Sequence, residues 1–160
     1  MKRILILSSL LLTCFFQIQA QDNVANIAHS FIKAVKSNDI ERIQKRFLNV
    51  SAAYPILPRE SAGMNAKQKK ETYIKPMHQE FEDNFKTIQA QIKDENIDAR
   101  KIDLISYKLE KKKNKNKIEP IAMSLFFNYK KKEHILPISV VQIDERWYIL
   151  EILNTSNLFQ

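Results

Sequence analysis

Apolar and polar positions alternate along the chain with two periods, and the change between them divides it. Val24, Ile27, Ala28, Phe31 and Val35 recur at the spacing of one helical face. Asn38-Asp39-Ile40-Glu41 carries the pattern of a helix start, and Ile40, Ile43 and Phe47 continue it as a second short helix. Val50 to Gly63 holds two prolines and the only glycine and reads as loop, with a short extended piece at Ala53–Leu57. Asn65 is placed to cap the next helix. Tyr73, Met77, Phe81, Phe85, Ile88 and Ile92 then form the longest apolar stripe. Pro76 inside it means either a kink or the first turn of a new helix. The stripe predicts a helix over 76–95.

From Ala99 the period is two. Strands are expected at 101–111, 118–130, 135–144 and 146–153. Their turns are expected at Lys112–Lys117, Lys131–His134 and Asp144-Glu145. The order predicts an α+β fold: three N-terminal helical segments packed on a curved four-stranded antiparallel sheet. A two-residue turn at Asp144-Glu145 pairs Gln142 with Trp147 and Val140 with Ile149. A four-residue turn at Lys131–His134 pairs Phe127 with Ile138. One face then carries Met123, Leu125, Phe127, Tyr129, Leu136, Ile138, Val140, Trp147, Ile149 and Leu153, and should meet the helices. The other carries Phe126, Val141, Ile143, Tyr148, Leu150 and Ile152 among polar residues. It is too apolar for a solvated surface, so a chain segment or a second copy in a homodimer should cover it.

Composition narrows the chemistry. One glycine in 160 residues excludes a phosphate-cradling loop or a dinucleotide fingerprint. One cysteine excludes an internal disulfide, and three scattered histidines give no metal-ligand spacing, so no metal or cofactor is assigned. Lys2-Arg3, the apolar run Ile4–Phe16 and Ala20 form the pattern of a secretory signal over 1–20, cleaved after Ala20. The run is too short for a transmembrane span, and a lipoprotein reading around Cys14 is disfavoured by Thr13. The expected product is a single domain over 21–160, periplasmic or secreted, with no cysteine. It has 24 basic against 18 acidic residues, a formal charge of +6.

The run Phe31-Ile32-Lys33-Ala34-Val35-Lys36-Ser37-Asn38-Asp39, continuing to Phe47, resembles the opening of nuclear transport factor 2-like (cystatin-like) proteins. Ile143-Asp144-Glu145-Arg146-Trp147-Tyr148-Ile149 resembles their last hairpin. The resemblance spans most of 23–153, although the segment at 50–70 departs from minimal members. It implies a curved sheet wrapped around a helix with a cone-shaped cavity, in a superfamily of isomerases, hydratases, dehydratases and non-enzymatic binding proteins. Gln142, Trp147, Tyr129, Met123, Phe81 and Phe85 would line that cavity. Glu151 would be its carboxylate, placed for proton transfer.

Other signals are generic. His78 and Glu82 stand one turn apart and read as a solvated helix pair. Lys111, Lys112, Lys113 and Lys115 crowd one turn and suggest attraction to a surface polyanion, or simply a solubilising turn. Without interleaved aromatics they disfavour nucleic acid. Asn49-Val50-Ser51 and Asn154-Thr155-Ser156 match the N-glycosylation pattern. Three functions remain: an exported binding or accessory protein for a small apolar ligand or a protein partner, an isomerase- or hydratase-like enzyme using Glu151, or an interaction module acting through the outer sheet face.

Overall fold

The structure is a computed structural model that describes residues 24–111, 117–156, 158 and 159. The signal segment over 1–20 and its cleavage edge lie outside the described residues, as do Lys112, Lys113 and Lys115.

Helix α1 runs over 24–37 and buries Val24, Ile27, Ala28, Phe31, Ile32, Ala34 and Val35. It ends where Asn38 turns left-handed, at φ 50°. The Asp39 amide reaches back to the Ala34 carbonyl and the Asn38 amide to that of Val35, closing the orphan carbonyls. The Asp39 carboxylate then accepts the Glu41 amide and the Arg42 guanidinium, starting α2, Glu41–Gln44. The second helix is thus a single turn. Phe47, expected inside it, instead pairs in parallel with Ile149, and the Ile149 amide donates to the Arg46 carbonyl at 2.9 Å.

The expected loop over 50–63 is helical in short pieces, and the extended piece at Ala53–Leu57 does not form. Asn49 caps α3, Val50–Ala53, through the Ala52 amide. Two 3-10 turns follow, Tyr54–Ile56 and Arg59–Gly63. Pro55 is the second residue of the first turn and Pro58 the residue before the second, places where a fixed φ is tolerated and an amide donor is not needed. Asn65 and Gln68 form a reciprocal capping box at the start of α4, Ala66–Lys69. A π turn, Lys70–Ile74, leads without a break into α5, Lys75–Asp94. Pro76 therefore sits in the first turn of α5, where the wider π turn leaves room for its ring and its missing donor.

The sheet is a meander in the order β1-β2-β3-β4, with β1 Asp103–Leu109, β2 Ile121–Tyr129, β3 Lys132–Ile143 and β4 Arg146–Ile152. All neighbours are antiparallel. This is the α+β arrangement that the change of period predicts. The β2–β3 turn is shorter than expected. Lys130 and Lys131 make a two-residue turn, both at positive φ, so Phe127 faces His134 and Met123 faces Ile138. The error is four residues, an even number, so every side chain keeps its side of the sheet.

At the β3–β4 pair the parity does change. Val140 faces Ile149, but Ser139 faces Glu151, leaving Leu150 as the extra residue of a bulge. Ile152 therefore joins the helix-side core, and Leu153 is 45% exposed, the reverse of the uninterrupted alternation.

One core lies between the sheet and helices α1 and α5, and includes Phe31, Phe81, Phe85, Ile88, Met123, Leu125, Phe127, Ile138 and Trp147. A second, smaller core lies on the outer side. There Val141, Ile143 and Leu150 pack with Leu48, Ala53 and Ile74, and with half-buried Met77 and Tyr148. The chain itself, over 48–77, covers that end of the outer face. The other end is open: Ile135 is 51% exposed, beside half-buried Phe126 and Pro137.

Candidate functional site

The residues expected to line a cone are brought together, as packing. Phe81, Phe85, Met123, Tyr129 and Trp147 are buried in the main core. The Phe81 ring meets Phe31 at 6.0 Å and Phe47 at 4.6 Å between centroids, both edge to face, and Phe85 meets Phe31 at 6.4 Å. Tyr129 receives the Asp98 amide on its hydroxyl. Gln142 faces Trp147 at the end of the β3–β4 hairpin and is half-buried.

Glu151 does not join them. The bulge places it opposite Ser139, on the outer side, half-buried, away from the apolar residues that would have made it a proton carrier. A period-two pattern cannot reveal a bulge, because one extra residue reverses every later side chain.

His78 has a structural partner instead of Glu82. Its Nε2 lies 2.8 Å from the Leu48 carbonyl, and its ring packs on Phe47 at 5.0 Å between centroids. It fastens α5 to the segment that crosses from the helix side to the outer side. His134, expected in a turn, lies buried in β3, stacked on Phe127 at 5.3 Å between centroids. Among the described residues no group of three or more His, Cys, Asp or Glu could hold a metal ion. No helix there is long and apolar enough to cross a membrane. Lys111 is exposed at the end of the β1 strand region.

Of the depressions on the described surface, two bear on function. The wider, about 770 Å³, is lined by Asn38, Gln89, Lys93, Ile97, Asp98 and Arg100 among others. Several of its polar groups are committed within the fold. Asp98 holds Arg100 at 2.9 Å, and Gln89 donates to the Val35 carbonyl. The Arg100 guanidinium, with the Arg100 amide, keeps the Asp98 carboxyl below its usual range.

The second depression, about 320 Å³, is different in chemistry. Its lining is Lys45, Arg46, Asn49, Arg146, Trp147 and Tyr148. Three cationic side chains and an amide line it, and among the described residues no carboxylate does. Its construction follows from the chain path. The 45–49 segment runs alongside β4, held by the Arg46–Ile149 backbone bond, and so sets Lys45 and Arg46 beside Arg146 and the two aromatic residues. Neither Lys45 nor Arg146 forms an ion pair among the described residues. Clustered like charges repel, and a bound anion beside Lys45 and Arg146 would relieve that repulsion. The sequence contains all six residues, but in two runs about a hundred positions apart, with no signal joining them.

In comparisons with known proteins, no family model matches the chain, and no curated protein and no solved structure matches it.

Proposed function

We propose that the protein is a small exported binding protein without catalytic activity, and that its site is the basic pocket beside Trp147. The observation that carries this reading is the convergence of Lys45, Arg46, Arg146 and Asn49 on one depression with an indole and a phenol in its wall. Cations and an amide recognise carboxylate, phosphate or sulfate oxygens. The aromatic wall favours a ligand with a ring or other apolar part. The expected small apolar ligand thus becomes an amphipathic anion. Export rests on the charged, apolar and small-residue pattern of 1–20. The order of helical segments before a four-stranded antiparallel sheet supports the likeness to nuclear transport factor 2-like proteins.

Trp147 is the only tryptophan, so its fluorescence reports on this pocket. Phenyl phosphate titrated at low salt should change that fluorescence saturably and bind more tightly than inorganic phosphate. The affinity should fall steeply as salt rises. Lys45→Gln/Arg146→Gln should weaken it by about tenfold or more, roughly the loss of one charge-assisted hydrogen bond. Unchanged fluorescence and no binding heat up to millimolar probe would refute the reading. So would retained affinity in the double variant combined with its loss in Lys111→Gln/Lys112→Gln/Lys113→Gln/Lys115→Gln, which would move the anion site to the lysine-rich turn.

A further inference from the structure

The two edges of the sheet are treated differently. The β4 edge is closed by the chain, through Phe47 and the Arg46 carbonyl. The β1 edge is not. Among the described residues, no backbone hydrogen bond joins 103–109 to any segment except β2. A strand with one row of unpaired amides and carbonyls is a template for another strand. Which strand it accepts depends on the side chains that would face each other.

We propose that the β1 edge pairs antiparallel with the β1 edge of a second copy of this chain, about a two-fold axis between Ile105 and Ser106. In β1, Leu104, Tyr107 and Leu109 pack against the main core on the helix side. The register with β2 sets Asp103, Ser106 and Lys108 on the outer side, opposite Asn128, Phe126 and Ser124. The proposed axis places Leu104 opposite the partner's Tyr107, both on the helix side. It places Asp103 opposite the partner's Lys108, both on the outer side. Just beyond the strand it sets Lys101 opposite the partner's Glu110, again of opposite charge. Symmetry makes each of these pairs twice.

Neighbouring registers lose this match. With the axis through Ile105, Asp103 faces the partner's Tyr107. With the axis through Ser106, Leu104 faces the partner's Lys108. Both set an outer residue against a helix-side one. With the axis through Lys108, two lysines meet directly. The irregularity of β1 between Leu104 and Ser106 falls at the proposed axis, where the two copies present it to each other. An edge bulge and an edge lysine usually discourage indiscriminate pairing; here they leave one register in which charge and side both agree. Asp103, at the start of β1, already reaches Lys36 of the helix-side α1 at 3.1 Å; its side chain is 77% exposed, so it can turn from that cation to the partner's Lys108 on the outer side. The result is a continuous eight-stranded sheet with helices of both copies on the same side, held by few contacts and so dependent on concentration.

Sedimentation equilibrium of the purified protein from about 10 to 500 μM tests this, a range suited to a complex with micromolar dissociation constant. The mass should rise from monomer toward dimer. Asp103→Lys and Lys108→Asp should each weaken association by about tenfold or more, since opposed like charges across a strand pair are destabilising. The combination Asp103→Lys/Lys108→Asp should restore it. A monomer at every concentration would overturn the proposal, and so would a double variant no better than the single ones. A dimer dissociated by Ile135→Lys but indifferent to Asp103→Lys would also overturn it, placing the contact on the open outer face. None of these readouts involves the basic pocket, so the proposal stands or falls separately from the binding reading.

Discussion

Ile135 and Ile143 lie on the same strand and the same side of it, eight residues apart, and differ only in what the tertiary structure lays over them. Ile143 is 3% exposed in the small core beneath the 48–77 segment, and Ile135 is 51% exposed at the open end. Replacing each by Thr keeps a β-branched residue, so strand preference is largely unchanged. At Ile143 the change removes one buried carbon outright, worth about 0.8 kcal/mol, and exchanges a second for oxygen. It also buries a hydroxyl among Leu48, Val141 and Leu150, which costs about 1–3 kcal/mol without a partner. Ile143→Thr should therefore lose about 2–4 kcal/mol, or about 8–16 °C of melting temperature at roughly 4 °C per kcal/mol for this size of domain. Ile135→Thr should stay within about 0.5 kcal/mol, as surface changes do. Thermal melts followed by circular dichroism, with denaturant midpoints as a second measure, compare the two. Equal losses would mean that something else covers the Ile135 end. No loss at Ile143 would mean that the 48–77 segment does not seal the outer face.

Two further outcomes are expected from the backbone and from charge. Lys130 and Lys131 adopt positive φ of 50° and 65° without a glycine, so Lys130→Asn/Lys131→Gly should raise stability by about 1 kcal/mol; an unchanged or lower denaturation midpoint would contradict the turn geometry. Asp83 is held below its usual carboxyl range by Lys86 and Gln79, and Asp98 by Arg100. Because the folded values are depressed, their contribution is complete above the ordinary aspartate range and is lost as pH falls through the folded values. NMR titration should place both midpoints below that of an unstructured aspartate, and Lys86→Gln should move Asp83 upward without moving Asp98.

Much of this architecture is written in local periodicity. The stripe from Phe81 to Ile92 identifies α5 because its spacing returns apolar side chains to one face. The alternation in β2 separates Met123, Leu125 and Phe127 from Ser124 and Phe126 whatever turn comes after it, since an even error in register leaves sides unchanged. Other features depend on contacts between distant residues. The Lys130-Lys131 turn carries no glycine or asparagine to announce it, and the register of the hairpin imposes its left-handed backbone. The bulge at Leu150, which sends Glu151 outward and Ile152 inward, satisfies the fit of β4 against β3 and the helices. Val141, Ile143 and Leu150 show from sequence that they need a cover; only the path of the chain from Leu48 to Met77 supplies it. That same path brings Lys45 and Arg46 to Arg146. A pocket built between two segments far apart in sequence has no local pattern, because its geometry is a property of the packing and not of either segment.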